Sequence, residues 1–429
     1  MRRVLVTAIA LMMTIALVPG AAADSAPAVG AMDLSGEIDG APFNIRVPEE
    51  WNGTLLVYAH GYRDKFDHPG DSTDRDAEGG KDTDAAPGGD ATEDALLGLG
   101  YAVAGSLYKD DGWAVRTGMV DTVALTQYFS RTVGEPDRTI LWGFSMGSLV
   151  TYGLAEQNHP GFDGYIPMCA VGAGGTGAWD ASLTLLIAYE SIFGMPAEWG
   201  TAADIDNDLD FETEVFPTLF AQVSDPNNVV LFDFIRSVSK LPVEDFFSGS
   251  NWLFTDMYFG TEARAELERR MGGVPMQNVG HVYDIPDADR AVYEALGVPV
   301  DDILAAMNSY DVVADRDARM KLRGAVDYRG AISKPVLSVH TRADGLVPVE
   351  HQSAYASTVA AAGNSDHLVQ AYTDSVGHCT FTPEQLLTSL GAMEYWLATG
   401  TAPGPEFFPE SLGFMSDFTP DPWPYPLTK

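Results

Sequence analysis

Lysine is almost missing from this chain, with 7 in 429 residues beside 18 arginines, against 40 aspartates and 21 glutamates. The formal charge of -36 leaves no basic patch to neutralise phosphate, which excludes nucleic acid as a partner. Long apolar runs are also missing: beyond residue 18 no stretch of about 18 apolar residues occurs, so no membrane-spanning helix is expected in the mature chain. Only two cysteines are present, Cys169 and Cys379, and neither lies near the N-terminus, where a bacterial lipid anchor would need one.

The first residues read as an address. Arg2 and Arg3 precede an apolar stretch over 4–18, and Ala-Ala-Ala23-Asp24 follows with the small residues that signal peptidase requires. Residues 1–23 are therefore expected to be a signal peptide, giving a secreted extracellular or periplasmic chain that does not associate with the membrane. Removing Arg2 and Arg3 takes the formal charge to -38. So large a like charge repels itself at low salt, and strongly hydrated aspartates in place of lysine stems suit a salt-rich, halophilic setting.

Gly-Phe-Ser-Met-Gly occupies 143–147, between the strand-like run 139–142 and the helix-like run 148–156. This G-x-S-x-G in a strand-turn-helix context reads as a nucleophile elbow, which would expose the hydroxyl of Ser145 above a sheet edge. A serine hydroxyl needs a histidine to take its proton, a carboxylate to orient that histidine, and N-H groups to hold the oxyanion. Lys334-Pro-Val-Leu-Ser-Val-His340 is a buried-strand pattern, and Asp344 lies in the loop after it. Residues 368–372 read as the last strand, followed by His378. Of the 8 histidines, His378 is the one that the order nucleophile, acid, histidine places at the site. Asp374 is the alternative acid. The oxyanion donors are expected to be the N-H of Met146 and, from the His60-Gly61-Tyr62 turn after the strand 54–59, that of Tyr62, with Gly61 as the alternative.

These residues resemble the α/β-hydrolase superfamily and, within it, secreted carboxylesterases of the feruloyl esterase and tannase-like groups. The resemblance covers most of the mature chain through His60-Gly61, Gly143 to Gly147, Asp344 and His378. It implies an α/β fold, a mostly parallel sheet with helices on both faces, and a Ser145-His378-Asp344 triad acting through an acyl-enzyme. In tannase-like enzymes a cysteine before the catalytic serine is bonded to one after the catalytic histidine. Here Cys379 follows His378, but Phe144 precedes Ser145. The resemblance therefore implies a disulfide from Cys379 to Cys169, at the end of the strand-like run 164–169, with two separate buried thiols as the alternative.

Four segments are expected after the leader: a first core part over 32–171, a large mainly helical lid inserted after the sixth strand over 172–331, a second core part over 332–400, and a Pro- and aromatic-rich strap over 401–429. Helix-like runs in the lid cover 178–193, 227–239, 261–271 and 288–296. Its aromatics Phe232, Phe234, Phe246, Phe247, Trp252, Phe254, Tyr258 and Phe259 are expected mainly to form the lid's own core, a minority facing Ser145. Gly172-Ala-Gly-Gly-Thr-Gly177 matches the dinucleotide fingerprint locally, but the strand before it does not open a nucleotide-binding unit, and glycines are expected where a lid hinges.

No cofactor is expected. Acidic runs at Asp71 to Asp84 and Asp204 to Glu212 leave a structural calcium open, although Leu209 and Val215 break the EF-hand pattern in the second. The expected activity is hydrolysis of carboxylic esters with apolar or aromatic groups, on a small-molecule or polymeric ester substrate. The alternatives are a prolyl-type serine peptidase on the same fold and a catalytically silent binding protein.

Overall fold

The Asp39-Gly40 turn starts the sheet. Both residues take positive φ, 52° and 88°, as a two-residue hairpin matched to the strand twist requires. It joins β1 (Met32–Ile38) to β2 (Ala41–Val47) in register from Met32 against Val47 to Ile38 against Ala41. β2 buries every second residue, the mark of a strand covered more heavily on one face. β3 (Thr54–Ala59), β4 (Ala102–Ser106) and β6 (Gly164–Met168) are buried throughout, as central parallel strands are. β5 (Arg138–Phe144), β7 (Val336–Ala343) and β8 (Leu368–Val376) complete the sheet.

This computed structural model describes residues 30–63, 84–244 and 252–427. The leader 1–23, His68, the acidic residues Asp71 to Asp82, and Phe246 and Phe247 lie outside the described residues, as does the side chain of Trp252.

The strand order is β1-β2-β4-β3-β5-β6-β7-β8, antiparallel at β1-β2 and β2-β4 and parallel from β4 onward. This is the α/β-hydrolase fold. From β3 the chain passes through α1 (Asp90–Gly98) to β4 on one side, then through α2 (Val115–Thr132) back past β3 to β5. The carboxyl ends of β3 and β5 thus flank a topological switch, where open sheets leave a crevice for ligands. α3 (Met146–Glu156) follows β5 directly.

Between β6 and β7 the insertion is helical: α4 (Gly174–Phe193), α5 (Phe216–Val223), α6 (Val229–Val238), α7 (Trp252–Gly260), α8 (Glu262–Met271), α9 (Asp287–Ala295), α10 (Val300–Met307) and α11 (Arg316–Val326). α12 (Glu350–Ala361) and α13 (Pro383–Thr399) follow β7 and β8. α4 starts inside the glycine run, not after it. A side chain at Gly174 would meet the carbonyl of Val326 at 2.7 Å and one at Gly175 the methyl of Val326 at 2.6 Å. These glycines let the start of α4 press on the end of α11. The Asp180 carboxylate in α4 accepts two bonds from the Arg319 guanidinium in α11, at 2.9 and 2.8 Å, deep inside the insertion. No described helix is long and apolar enough to cross a membrane.

Candidate active site

The elbow glycines answer to close approach rather than to unusual dihedrals. A side chain at Gly147 would run into the carbonyls of Ala59 and His60 at the end of β3, and one at Gly143 into the Gly147 carbonyl and the Thr151 hydroxyl. Between them Ser145 is forced to φ 53° and ψ -122°. Met146 opens α3, so its N-H is one of the amides with no partner inside the helix.

Asp344 follows β7 and is fully buried. Its Oδ1 accepts the N-H groups of Leu346 and Val347 at 3.0 and 2.8 Å, and its Oδ2 accepts His378 Nδ1-H at 2.8 Å. Burial alone would push this carboxyl up, but the facing His378 and these hydrogen bonds hold it below the usual value. With Nδ1 donating, the lone pair of a neutral His378 ring lies on Nε2. Asp374, the alternative acid, is exposed on β8 beside Gly413.

Cys169 and Cys379 are bonded to each other, with Cα atoms 5.1 Å apart. The bridge brings the histidine loop to the serine. Ser145 N-H donates to Met168 O at 3.2 Å, Cys169 is the next residue, and Cys379, its partner, adjoins His378. His378 Nε2 lies 3.4 Å from Cys379 Sγ, and among the described residues it makes no hydrogen bond to Ser145 Oγ. The group Cys169, His378 and Cys379 has the spacing of metal ligands, but both thiols are spent in the disulfide. In the acidic run of the insertion, Asp206 accepts the N-H of Asp208 and Asp210 that of Thr213.

Gly61 lies over the serine: a Cβ built there would sit 3.4 Å from Ser145 Cβ and 3.9 Å from Oγ. His60 Nδ1-H donates to the Gly61 carbonyl at 2.7 Å, and its ring is stacked on Tyr108 at 4.0 Å. In a trans peptide the carbonyl and the following N-H point opposite ways. The grip of His60 on Gly61 O therefore turns the Tyr62 N-H in the opposite direction.

Ser145, Met146 and Tyr62 line one cleft enclosing about 970 Å³ of space open to solvent. Its aromatic walls come from unexpected places. Of the five lid aromatics whose side chains are described, Phe259 alone reaches it, while Phe232 and Phe234 are buried within the insertion. Trp113 comes from the loop before α2, Trp179 from α4, and Trp423 and Tyr425 from the C-terminal segment. The strap thus reaches the cleft. His351 at the start of α12 also lines the cleft; its Nδ1 accepts the Ala173 N-H at 3.1 Å, and burial pushes its pKa down to about 3. His340 in β7 is buried and likewise shifted down. Sequence patterns gave no sign of Trp113, Trp179 or His351, because single residues outside any motif acquire a role only when the chain is folded.

No family model matches the sequence, and no curated protein does. Among solved structures, an acylaminoacyl peptidase from Pyrococcus horikoshii is 11% identical with a TM-score of 0.40, over 85% of this chain and 41% of that one. An esterase from Aspergillus oryzae is 15% identical with a TM-score of 0.39, over 87% of this chain and 80% of its own. A thermostable carboxyl esterase from Bacillus coagulans is 12% identical with a TM-score of 0.37, over 85% and 97%. Likeness at that level leaves the activity to be argued from the site itself.

Proposed function

We propose that the protein is a secreted serine hydrolase that cleaves carboxylic esters with apolar or aromatic groups through an acyl-enzyme. The observation that carries this reading is a serine held at positive φ on a strand-helix elbow, whose N-H bonds Met168 O one residue before the disulfide that joins it to the loop of a histidine hydrogen-bonded to a fully buried aspartate. Ser145 Oγ attacks the ester carbonyl as His378 Nε2 takes its proton. The Met146 and Tyr62 N-H groups hold the oxyanion, and collapse expels the alcohol, which takes the proton from His378. Water then repeats the sequence to release the acid. Asp344 fixes the ring and stabilises its charged form. The insertion acts as a lid over the cleft, and residues 1–23 direct export.

Asp256 and Glu350 also line the cleft, and carboxylates are what a peptide amine would seek. This favours peptidase activity as the second reading. Both are tested by turnover of p-nitrophenyl esters and amino-acid p-nitroanilides with wild type and Ser145→Ala. Ester turnover is expected to drop by at least about a thousandfold in the variant. Anilide turnover in its place would promote the peptidase, and turnover of neither, a binding protein.

A further inference from the structure

The C-terminal segment runs along α12 and onto the insertion. Pro420 O accepts the Ser353 hydroxyl of α12 at 3.3 Å. The Trp423 ring lies on the His351 ring with centroids 4.4 Å apart. The Tyr425 ring packs on His281 at 4.8 Å, and its hydroxyl donates to Ser239 O, just past α6, at 3.1 Å. Trp423 and Tyr425 are in contact with each other, 5.2 Å between centroids. Both line the cleft that holds Ser145. Each is therefore held by a partner of its own, Trp423 by a ring whose own nitrogen is fixed to Ala173 N-H, Tyr425 by a backbone carbonyl of the insertion.

We propose that Trp423 and Tyr425 are specificity-determining residues that form a fixed end wall of the substrate cleft and limit hydrolysis to esters of short or compact acyl groups. This rests on the serine hydrolase reading. A wall anchored at both ends does not yield to a longer acyl chain, whereas mobile loops would. Bulk lining a substrate pocket discriminates by about tenfold or more for each group that must be accommodated.

The test is the chain-length profile of kcat/KM for p-nitrophenyl acetate, butyrate, octanoate and decanoate with wild type, Trp423→Ala and Trp423→Phe. The Phe variant guards against a folding defect: it keeps a ring on His351, and Trp423 Nε1 makes no hydrogen bond among the described residues that its loss would orphan. Wild type should favour the short esters. Trp423→Ala should raise kcat/KM for decanoate relative to acetate by about tenfold, and Trp423→Phe by less. Profiles that superimpose on wild type, or a wild type that already prefers decanoate, would overturn the wall. A wild type that hydrolyses no ester would overturn the serine esterase reading, and the wall with it.

Discussion

Of the seven non-glycine residues with positive φ among those described, five gather at the site: Ser145, Cys169 and Cys379 around the histidine loop, Lys240 in the cleft, and Tyr108 beneath His60. Each such conformation costs on the order of 1 kcal/mol or more and persists only where the surroundings over-determine it. Protonation adds a second kind of local tension. His351 is buried near His340, His378 and Asp344, and its pKa falls from 6.5 to about 3. Below pH 6.5 the unfolded chain binds a proton that the folded one refuses until about pH 3. Stability is thus at full strength above that window and declines as pH falls through it, by on the order of a few kcal/mol. Melting temperatures measured from pH 7 down to 4 should fall, and the fall should be shallower in His351→Gln. An unchanged slope would assign the acid sensitivity to other groups, His340 first, which is shifted the same way.

Between elements a buried polar tie is the Asp180-Arg319 pair joining α4 to α11, to which Gln277 N-H and Pro275 O add bonds of 2.8 and 3.0 Å. Removing one partner leaves a buried charge, so Arg319→Met should lower unfolding free energy by about 3–5 kcal/mol in urea titrations, and Asp180→Leu with Arg319→Met by less than Arg319→Met alone. At this scale the sequence was legible where a period or a motif spans several residues. The hairpin, the parallel strands and the elbow helix follow from alternation, apolar runs and G-x-S-x-G, and they set the places of Ser145, Asp344 and His378. The start of α4 was misread because its glycines signal a hinge in sequence, whereas in the fold they allow contact with α11. The Trp423-Pro424-Tyr425 run was opaque for another reason. A Pro-rich extended segment has no period, and what it packs against lies some 70 to 190 residues earlier, at His351 and Ser239.

Over the whole molecule the excess of acid over base sets the response to solvent. Mutual repulsion at a formal charge of -36 is relieved as the Debye length shrinks. Melting temperature and ester turnover should both rise between low and molar NaCl; a flat or falling response in both would remove the salt-adapted reading. The Cys169-Cys379 bond has a further consequence for the molecule as a whole. It closes a loop of 210 residues that contains every helix of the insertion. A protease that nicks any exposed turn there leaves two polypeptides and still one covalent body, with the serine half and the histidine half tethered until a reductant parts them.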